Sequence, residues 1–288
     1  MSTGVTAPQG FRASGVAAGL KSSGAPDVAL VVNDGPLESA AGVFTTNRFK
    51  AAPVLWSQQV LVGGALRAVV LNSGGANACT GPEGFQDTHA TAEHVADLLG
   101  CGAGEVAVCS TGLIGVRLPM DRLLPGVDDA HASLAAEGGT AAATAIMTTD
   151  TAPKESVVHA WSAPQGTDGT WVFFSDPALA NDPRDVFTVG GMAKGAGMLA
   201  PGLATMLVVL TTDAVATAEE LDDALRSAAR VTFDRVDSDG CMSTNDTVLL
   251  LASGASGISP PAPALAAAVT QVCAQLARAL IGDAEGAA

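Results

Sequence analysis

Residues Lys194 to Val209 read Lys-Gly-Ala-Gly-Met-Leu-Ala-Pro-Gly-Leu-Ala-Thr-Met-Leu-Val-Val. The glycines and the proline predict turns, and the apolar run from Ala204 to Thr212 predicts a buried strand. Thr205 lies where the two meet, and its simplest interpretation is the first residue of that strand. If the bond between Ala204 and Thr205 were cut, Thr205 would become a chain end. Its hydroxyl would then be a nucleophile, with its own α-amine as the base.

The rest of the chain predicts a layered fold. Short apolar runs between Gly-rich turns predict strands at Asp27–Asn33, Ala41–Thr45, Ala68–Asn72, Glu105–Cys109 and Asp246–Ala252. Helical spacing or composition predicts helices at Thr88–Gly100, Asp128–Met147, Thr217–Val231 and Leu265–Ile281. Thr151–Thr188 has little periodicity and is interpreted as one or two strands in a long loop or insertion. Because strands and helices do not alternate regularly, we expect an α+β fold rather than a doubly wound sheet.

The composition excludes several classes of function. The 288 residues include 14 Lys and Arg against 29 Asp and Glu, a net charge of -15. This balance argues against a nucleic-acid partner and against docking on an anionic membrane. The longest apolar stretch, Pro261 to Leu280, is interrupted by polar residues, so no membrane span is expected. The five scattered cysteines contain no CxxC and the four histidines no HExxH, which predicts a reduced, cytoplasmic protein without a metal site.

Three polar segments could carry chemistry. Cys109–Gly115 ends a strand in a Gly-containing turn, so Thr111 and Gly112 could offer a hydroxyl and a backbone N–H to an oxyanion, or form an ordinary turn. The hydroxyls of Ile146–Thr151 could bind a substrate or cap a loop. Asn72–Gly81 could simply satisfy its own turn backbone. Gly190–Gly197 lacks the Gly-Lys-Ser/Thr ending of a phosphate loop, so we expect no nucleotide site there.

Taken together, these segments resemble one enzyme family. The chain is similar to the ornithine acetyltransferases, also called glutamate N-acetyltransferases, of the cyclic arginine pathway. The resemblance covers nearly the whole chain, and its motifs occur in order at Gly4–Phe11, Ala41–Thr45, Asn72–Gly81, Cys109–Gly115, Met147–Asp150, Lys194–Leu207, Ser243–Thr247 and Asp283–Gly286.

The resemblance implies a self-cleaving precursor. Cleavage between Ala204 and Thr205 would give an α chain (residues 1–204) and a β chain (residues 205–288). The two chains would stay associated, as a heterotetramer of two α and two β. The implied fold is a layered α/β sandwich resembling the N-terminal nucleophile hydrolases in architecture. This chain is shorter than the family, so we expect its β chain to be incomplete at the C-terminal end.

The resemblance also implies roles for individual residues. Thr205 would be the nucleophile, and Thr111 and Gly112 the oxyanion hole. The implied substrate-binding residues are Thr149, Lys194, Thr205 and Glu285, with Thr148 and Thr151 left open as alternatives to Thr149. We expect Lys194 to pair with a substrate carboxylate and Glu285 with an ammonium group, because a small charged substrate needs fixed partners. Lys194 as a solvated loop lysine and Glu285 as a frayed terminal residue remain the simpler alternatives.

The implied activity is transfer of an acetyl group from N-acetylornithine to glutamate through an ester on Thr205. No bound cofactor is expected; acetyl-coenzyme A stays open as a second acetyl donor, that is, as a substrate. Two other interpretations remain. One is an aminopeptidase with the same self-cleaving architecture, since one fold can host several activities. The other is a truncated, uncleaved and inactive chain.

Overall fold

Two β-sheets and six α-helices make up the described part of the chain. The structure, a computed structural model, describes residues 4–162, 171–176, 186–197, 206–237 and 239–284. In chain order the strands are β1 (Phe11–Val16), β2 (Val28–Asn33), β3 (Ser39–Phe44), β4 (Ala68–Gly75), β5 (Val106–Leu113), β6 (Lys154–Ser162), β7 (Trp171–Phe174), β8 (Val186–Lys194), β9 (Leu207–Thr212) and β10 (Thr247–Ala252). The helices are α1 (Ala52–Val60), α2 (Gly81–Leu99), α3 (Met120–Ala132), α4 (Gly139–Ala145), α5 (Ala218–Val231) and α6 (Ala262–Gly282).

The sheets lie face to face. The first has the order β1-β2-β4-β5 and the second the order β3-β10-β9-β8-β6-β7. Side chains alternate across a strand, and in β9 the alternation divides two apolar clusters. Leu207 and Val209 pack with the residues of the first sheet, whereas Val208 and Leu210 pack with those of α5 and α6. The second sheet is therefore covered on both faces, which explains why β9 and β10 are continuous apolar runs.

Helices α5 and α6 cover the outer face of the second sheet. Thr217 caps α5 and forms a capping box with Glu220, which satisfies two backbone N–H groups at its first turn. By length and composition alone, α6 could cross a membrane. Half of its most apolar stretch is buried inside the fold, including Leu265, Val272 and Leu276. Core helices that pack one face on a sheet have this pattern.

The layered α+β architecture predicted from the sequence is confirmed. The predicted strands at Asp27–Asn33, Ala41–Thr45, Ala68–Asn72, Glu105–Cys109 and Asp246–Ala252 correspond to β2, β3, β4, β5 and β10. The run predicted from Ala204 is β9, whose described part begins at Leu207. The helices predicted at Thr88–Gly100, Thr217–Val231 and Leu265–Ile281 correspond to α2, α5 and α6, with α2 beginning at Gly81. Strand β1 and helix α1 were not predicted.

The single helix predicted over Asp128–Met147 is wrong. The chain instead forms α3 and α4, with a turn at Ser133–Gly138 between them. In that turn Ala135 exchanges two backbone hydrogen bonds with Ala13, each of 3.0 Å. A Cβ on Gly138 would lie 1.8 Å from the Ala13 carbonyl oxygen, so this close approach requires glycine. The interruption is thus imposed by β1, more than a hundred residues away in sequence.

The one or two strands predicted within Thr151–Thr188 are confirmed as β6 and β7, but the interpretation of their surroundings as a long loop is wrong for the residues described there. That the stretch is an insertion stays a prediction. Strand β6 lies inside the second sheet, between β7 and β8, and pairs with β8 from Lys154 to Trp161. Its burial alternates almost residue by residue, as expected for a strand packed on one face. Residues 163–170 and 177–185 lie outside the described residues.

Candidate functional site

The predicted oxyanion pair lies at the carboxyl end of β5. Thr111 is buried, and Gly112 lies at the surface. Strands β4 and β5 are parallel, with Gly74 opposite Gly112. Gly112 has a φ of 127°, which favours glycine, and a Cβ there would lie 2.5 Å from the Gly74 carbonyl carbon. The sequence therefore places a glycine where the two strand ends come too close for a side chain.

Lys194 extends from the end of β8 to this point. Its ammonium group donates hydrogen bonds to the Thr111 hydroxyl at 3.3 Å and to the Thr148 hydroxyl at 2.6 Å. Because Lys194 can only donate, Thr111 accepts, and its own hydroxyl proton stays free for another acceptor. Among the described residues, no acceptor takes that proton. Lys194 is 2% exposed, so the alternative of a solvated loop lysine is wrong.

Lys194 belongs to a buried row of alternating charges. The Asp150 carboxylate lies 3.8 Å from the Lys194 ammonium and accepts a hydrogen bond of 2.6 Å from Lys154. Lys154 also pairs with Asp283. Burial lowers the pKa of Lys194 to about 8, although Asp150 opposes the change. The ammonium form therefore still predominates at neutral pH, and Lys194 can pair with an anion.

The carboxylates in this row are held in the charged form. Burial alone would raise the pKa of Asp150, but the Lys194 charge, the Lys154 hydrogen bond and the backbone N–H groups of Thr148 and Gly195 lower it overall. Burial likewise opposes ionisation of Asp283, yet its bonds to Lys154 and Thr151 bring its pKa to about 2. Each buried charge thus has an opposite charge beside it, as buried ions require.

Two residues before β10 complete the wall of the site. The Asn245 side-chain amide donates to the carbonyl oxygens of Ala76 at 2.7 Å and Ser110 at 2.8 Å, which ties the second sheet to the ends of β4 and β5. Asp246 accepts a hydrogen bond of 2.9 Å from the backbone N–H of Met206. A cavity of about 30 Å³ is lined by Thr111, Gly112, Asn245 and their neighbours.

The Asp246 carboxyl is fully buried. Burial raises its pKa to about 7, against the Met206 N–H bond, which favours the charged form. Its second oxygen, Oδ2, has no hydrogen-bond partner among the described residues. The hydroxyls of Ser243 and Thr45 lie close enough to lower the pKa, but they do not meet hydrogen-bond geometry to Oδ2. Asp246 is therefore a buried acid that titrates near neutral pH.

We expect Asp246→Asn to flatten the pH dependence of stability. Below about pH 3 the Asp246 carboxyl is mostly neutral in the folded and the unfolded chain. As the pH rises to 7, the unfolded chain ionises while the folded chain keeps the proton, so the wild-type chain loses stability. Between pH 5 and pH 8 the titration of Asp246 should lower the free energy of unfolding of the wild-type chain by about 2–3 kcal/mol. The uncharged amide of Asp246→Asn should not cause this loss. Urea unfolding at both pH values measures it, with Asp223→Asn on the exposed face of α5 as the control. The prediction would be contradicted if Asp246→Asn changed the free energy of unfolding by the same amount at pH 5 and at pH 8.

The structure brings some of the predicted site residues together and leaves others untested. Thr111, Gly112 and Lys194 meet at one place. Thr148, rather than Thr149, contacts Lys194. Both threonines are exposed, and the role of Thr149 in substrate binding stays a prediction. Ala204, Thr205 and Glu285 lie outside the described residues.

The sequence reasoning missed four polar residues of the site: Asp150, Lys154, Asn245 and Asp246. Asp150 and Lys154 are charged and four residues apart, a spacing that could have suggested a pair. Asn245 and Asp246 lie in the quoted Ser243–Thr247 motif, directly before an apolar strand, which was the available signal. The described residues contain no group of three or more His, Cys, Asp or Glu able to hold a metal ion.

Comparisons with known proteins point to one family. The ArgJ family model matches residues 12–288. The arginine biosynthesis bifunctional protein ArgJ of Streptomyces coelicolor is 66% identical over 283 residues, which cover 98% of this chain and 68% of that protein. The crystal structure of ornithine acetyltransferase complexed with ornithine from Mycobacterium tuberculosis is 55% identical, with a TM-score of 0.58 over 71% of this chain and 96% of that chain.

The likeness to a more distant solved structure concerns the fold alone. The L-aminopeptidase D-Ala-esterase/amidase of Ochrobactrum anthropi, described as a variant of the Ntn hydrolase fold, is 14% identical with a TM-score of 0.50 over 96% of this chain and 86% of that chain. The expected likeness to the N-terminal nucleophile hydrolases in architecture is confirmed. The family match over nearly the whole chain, with close relatives along the same length, leads to one assignment: this chain belongs to the ArgJ family.

Proposed function

We propose that this chain transfers an acetyl group from N-acetylornithine to glutamate through an acetyl ester on Thr205. Relatives named for arginine biosynthesis, and a solved relative named ornithine acetyltransferase, support the acetyl transfer and the ornithine substrate. The observation that carries the proposal is the contact between Lys194 and Thr111 beside the start of β9. In the sheet, Lys194 lies opposite Leu207, two residues after Thr205.

The reaction begins with Thr205 as a chain end. Its hydroxyl oxygen attacks the amide carbonyl carbon of N-acetylornithine, and its α-amine takes the hydroxyl proton. The Thr111 hydroxyl, whose proton is free, and the Gly112 backbone N–H stabilise the negative oxygen that forms. The amide C–N bond then breaks, and ornithine leaves with the proton. The amine of glutamate attacks the Thr205 ester, which restores the hydroxyl and releases N-acetylglutamate.

Substrate recognition follows from charge. Lys194 is the positive group beside Thr111, so it pairs with a substrate carboxylate. Glu285, two residues beyond Asp283, pairs with a substrate ammonium group. Thr149 contributes a hydroxyl from the loop whose neighbour Thr148 binds Lys194. Each partner is a single fixed charge or hydroxyl, which suits small amino-acid substrates.

Cleavage between Ala204 and Thr205 precedes this chemistry. The two resulting chains would be held by backbone pairing, because β9 pairs with β8 and β10 pairs with β3 across the second sheet. The strands after the cut thus lie between strands that precede it. We propose that the chains stay associated, as a heterotetramer of two α and two β chains in the cytoplasm.

The test uses N-acetylornithine labelled in its acetyl group. With glutamate present, we expect labelled N-acetylglutamate. Without glutamate, the fragment beginning at Thr205 should gain the mass of one acetyl group. Acetyl-coenzyme A in place of N-acetylornithine tests a second donor on the same ester. A chain that stays in one piece and takes up no label would support the inactive interpretation, and release of amino acids from peptides would support an aminopeptidase.

A further inference from the structure

The carboxylate of Asp283 lies where a helix alone would not favour it. Asp283 directly follows α6, whose C-terminal end carries partial negative charge from its free carbonyl groups. A carboxylate there is repelled by those carbonyl groups unless another group compensates. Lys154 provides the compensation, since its ammonium group pairs with Asp283 and its side chain is 97% buried. The placement therefore depends on residues that lie far away in sequence.

The bonds of Asp283 converge on the loop beside Lys194. The Thr151 backbone N–H donates to Asp283 Oδ2 at 3.0 Å, and the Thr151 hydroxyl donates to Oδ1. The same loop carries Thr148, which accepts the 2.6 Å hydrogen bond from Lys194. Asp283 thus fixes the end of α6 against the loop that holds the substrate-facing ammonium group.

Asp283 also supplies a second carboxylate to the buried row of charges. Among the described residues, Lys154 has two carboxylate partners, Asp150 and Asp283, whereas Lys194 has one, Asp150, within ion-pair distance. Without Asp283, the two ammonium groups would share Asp150 as their ion-pair partner in the described part of the chain. Lys154 and Lys194 would then compete for Asp150, whose charge favours the ammonium form of Lys194.

We propose that Asp283 is a positioning residue for substrate binding, acting through Lys154 and the Thr148–Thr151 loop. This inference rests on the proposed function. Asp283 therefore holds the end of α6 against the loop that orients the carboxylate-binding Lys194.

The test compares Asp283→Asn with Asp283→Ala and with the control Asp223→Asn, which removes one negative charge from an exposed position. We expect the KM for N-acetylornithine to rise about tenfold in Asp283→Asn, with kcat within about threefold of wild type, because binding is loosened while the nucleophile and oxyanion hole remain. Asp283→Ala, which also loses the bonds to Thr151, should raise KM further. An unchanged KM in both variants overturns the proposal.

A second measurement does not depend on activity. Hydrogen exchange of the peptide containing Thr151 should become faster in Asp283→Asn and Asp283→Ala but not in Asp223→Asn, because the Thr151 N–H loses its charged acceptor. Unchanged exchange there overturns the contact itself. If exchange changes as expected but the wild-type chain transfers no acetyl group, the proposed function has failed while the structural role of Asp283 stands.

Discussion

Thr205→Ala should leave the chain in one piece and abolish acetyl transfer, lowering the rate by at least about 10⁴-fold. Two steps need the same hydroxyl. In self-cleavage the Thr205 oxygen attacks the carbonyl of Ala204, the peptide bond gives way to an ester, and water hydrolyses the ester. In transfer the same oxygen carries the acetyl group. Alanine supplies no oxygen for either step.

Thr205→Ser is the matched variant, since it keeps the hydroxyl and loses only a methyl group. It should still be cleaved and should retain most of the transfer activity. Thr270→Ala, on α6 and away from the site, controls for loss of a Thr hydroxyl in general. Intact mass and the labelled-acetyl assay report the two steps separately. A Thr205→Ala chain that is cut between residues 204 and 205, or that transfers acetyl at the wild-type rate, would remove Thr205 from the mechanism.

The layered fold could be predicted from sequence because its central strands have a clear sequence pattern. The runs that form β2, β4, β9 and β10 are apolar and bounded by turn residues, and burial on both faces requires such runs. Helix α5 was equally clear, since Thr217 and Glu220 form a capping box at its start. These signals are local, so a single sequence contains them.

The errors share a physical cause, which is that distant residues decide the local structure. The turn between α3 and α4 exists because β1 approaches it, and nothing in the Ala-rich stretch itself reveals β1. Strand β6 carries the charged residues Lys154 and Glu155, which hid its alternating burial. The pairing of Lys154 with Asp283 joins residues 129 apart in the chain, so no spacing rule could predict it.

The residues of the site also divide into those that sequence motifs predict and those that depend on the fold. Thr111, Gly112 and Lys194 could be found because each lies in a distinctive motif, and the structure brings them together. The charges that hold Lys194 protonated, Asp150 first among them, could not be assigned, because their effect depends on burial and on distances between chain segments. Motifs therefore identified the groups proposed to react, while the groups that tune them emerged from the fold.

Thr111→Val should lower kcat for acetyl transfer by about 10²–10³-fold with little change in KM. Valine has the shape of threonine without the hydroxyl, so the buried packing around residue 111 is kept. The lost group is a donor aimed at an oxygen that becomes negative only as the reaction proceeds, so ground-state binding should be nearly unaffected.

The comparison with Thr148→Val separates the two hydroxyls that bind Lys194. Thr148 accepts the shorter bond, 2.6 Å against 3.3 Å, so it has the larger part in orienting the ammonium group that pairs with the substrate carboxylate. Thr148→Val should therefore raise KM more than it lowers kcat, the reverse of Thr111→Val. Thr111→Ser, which keeps a hydroxyl, should recover most of the rate. If both valine variants instead changed KM alike and left kcat unchanged, Thr111 would act only by positioning Lys194, and the oxyanion would need another donor.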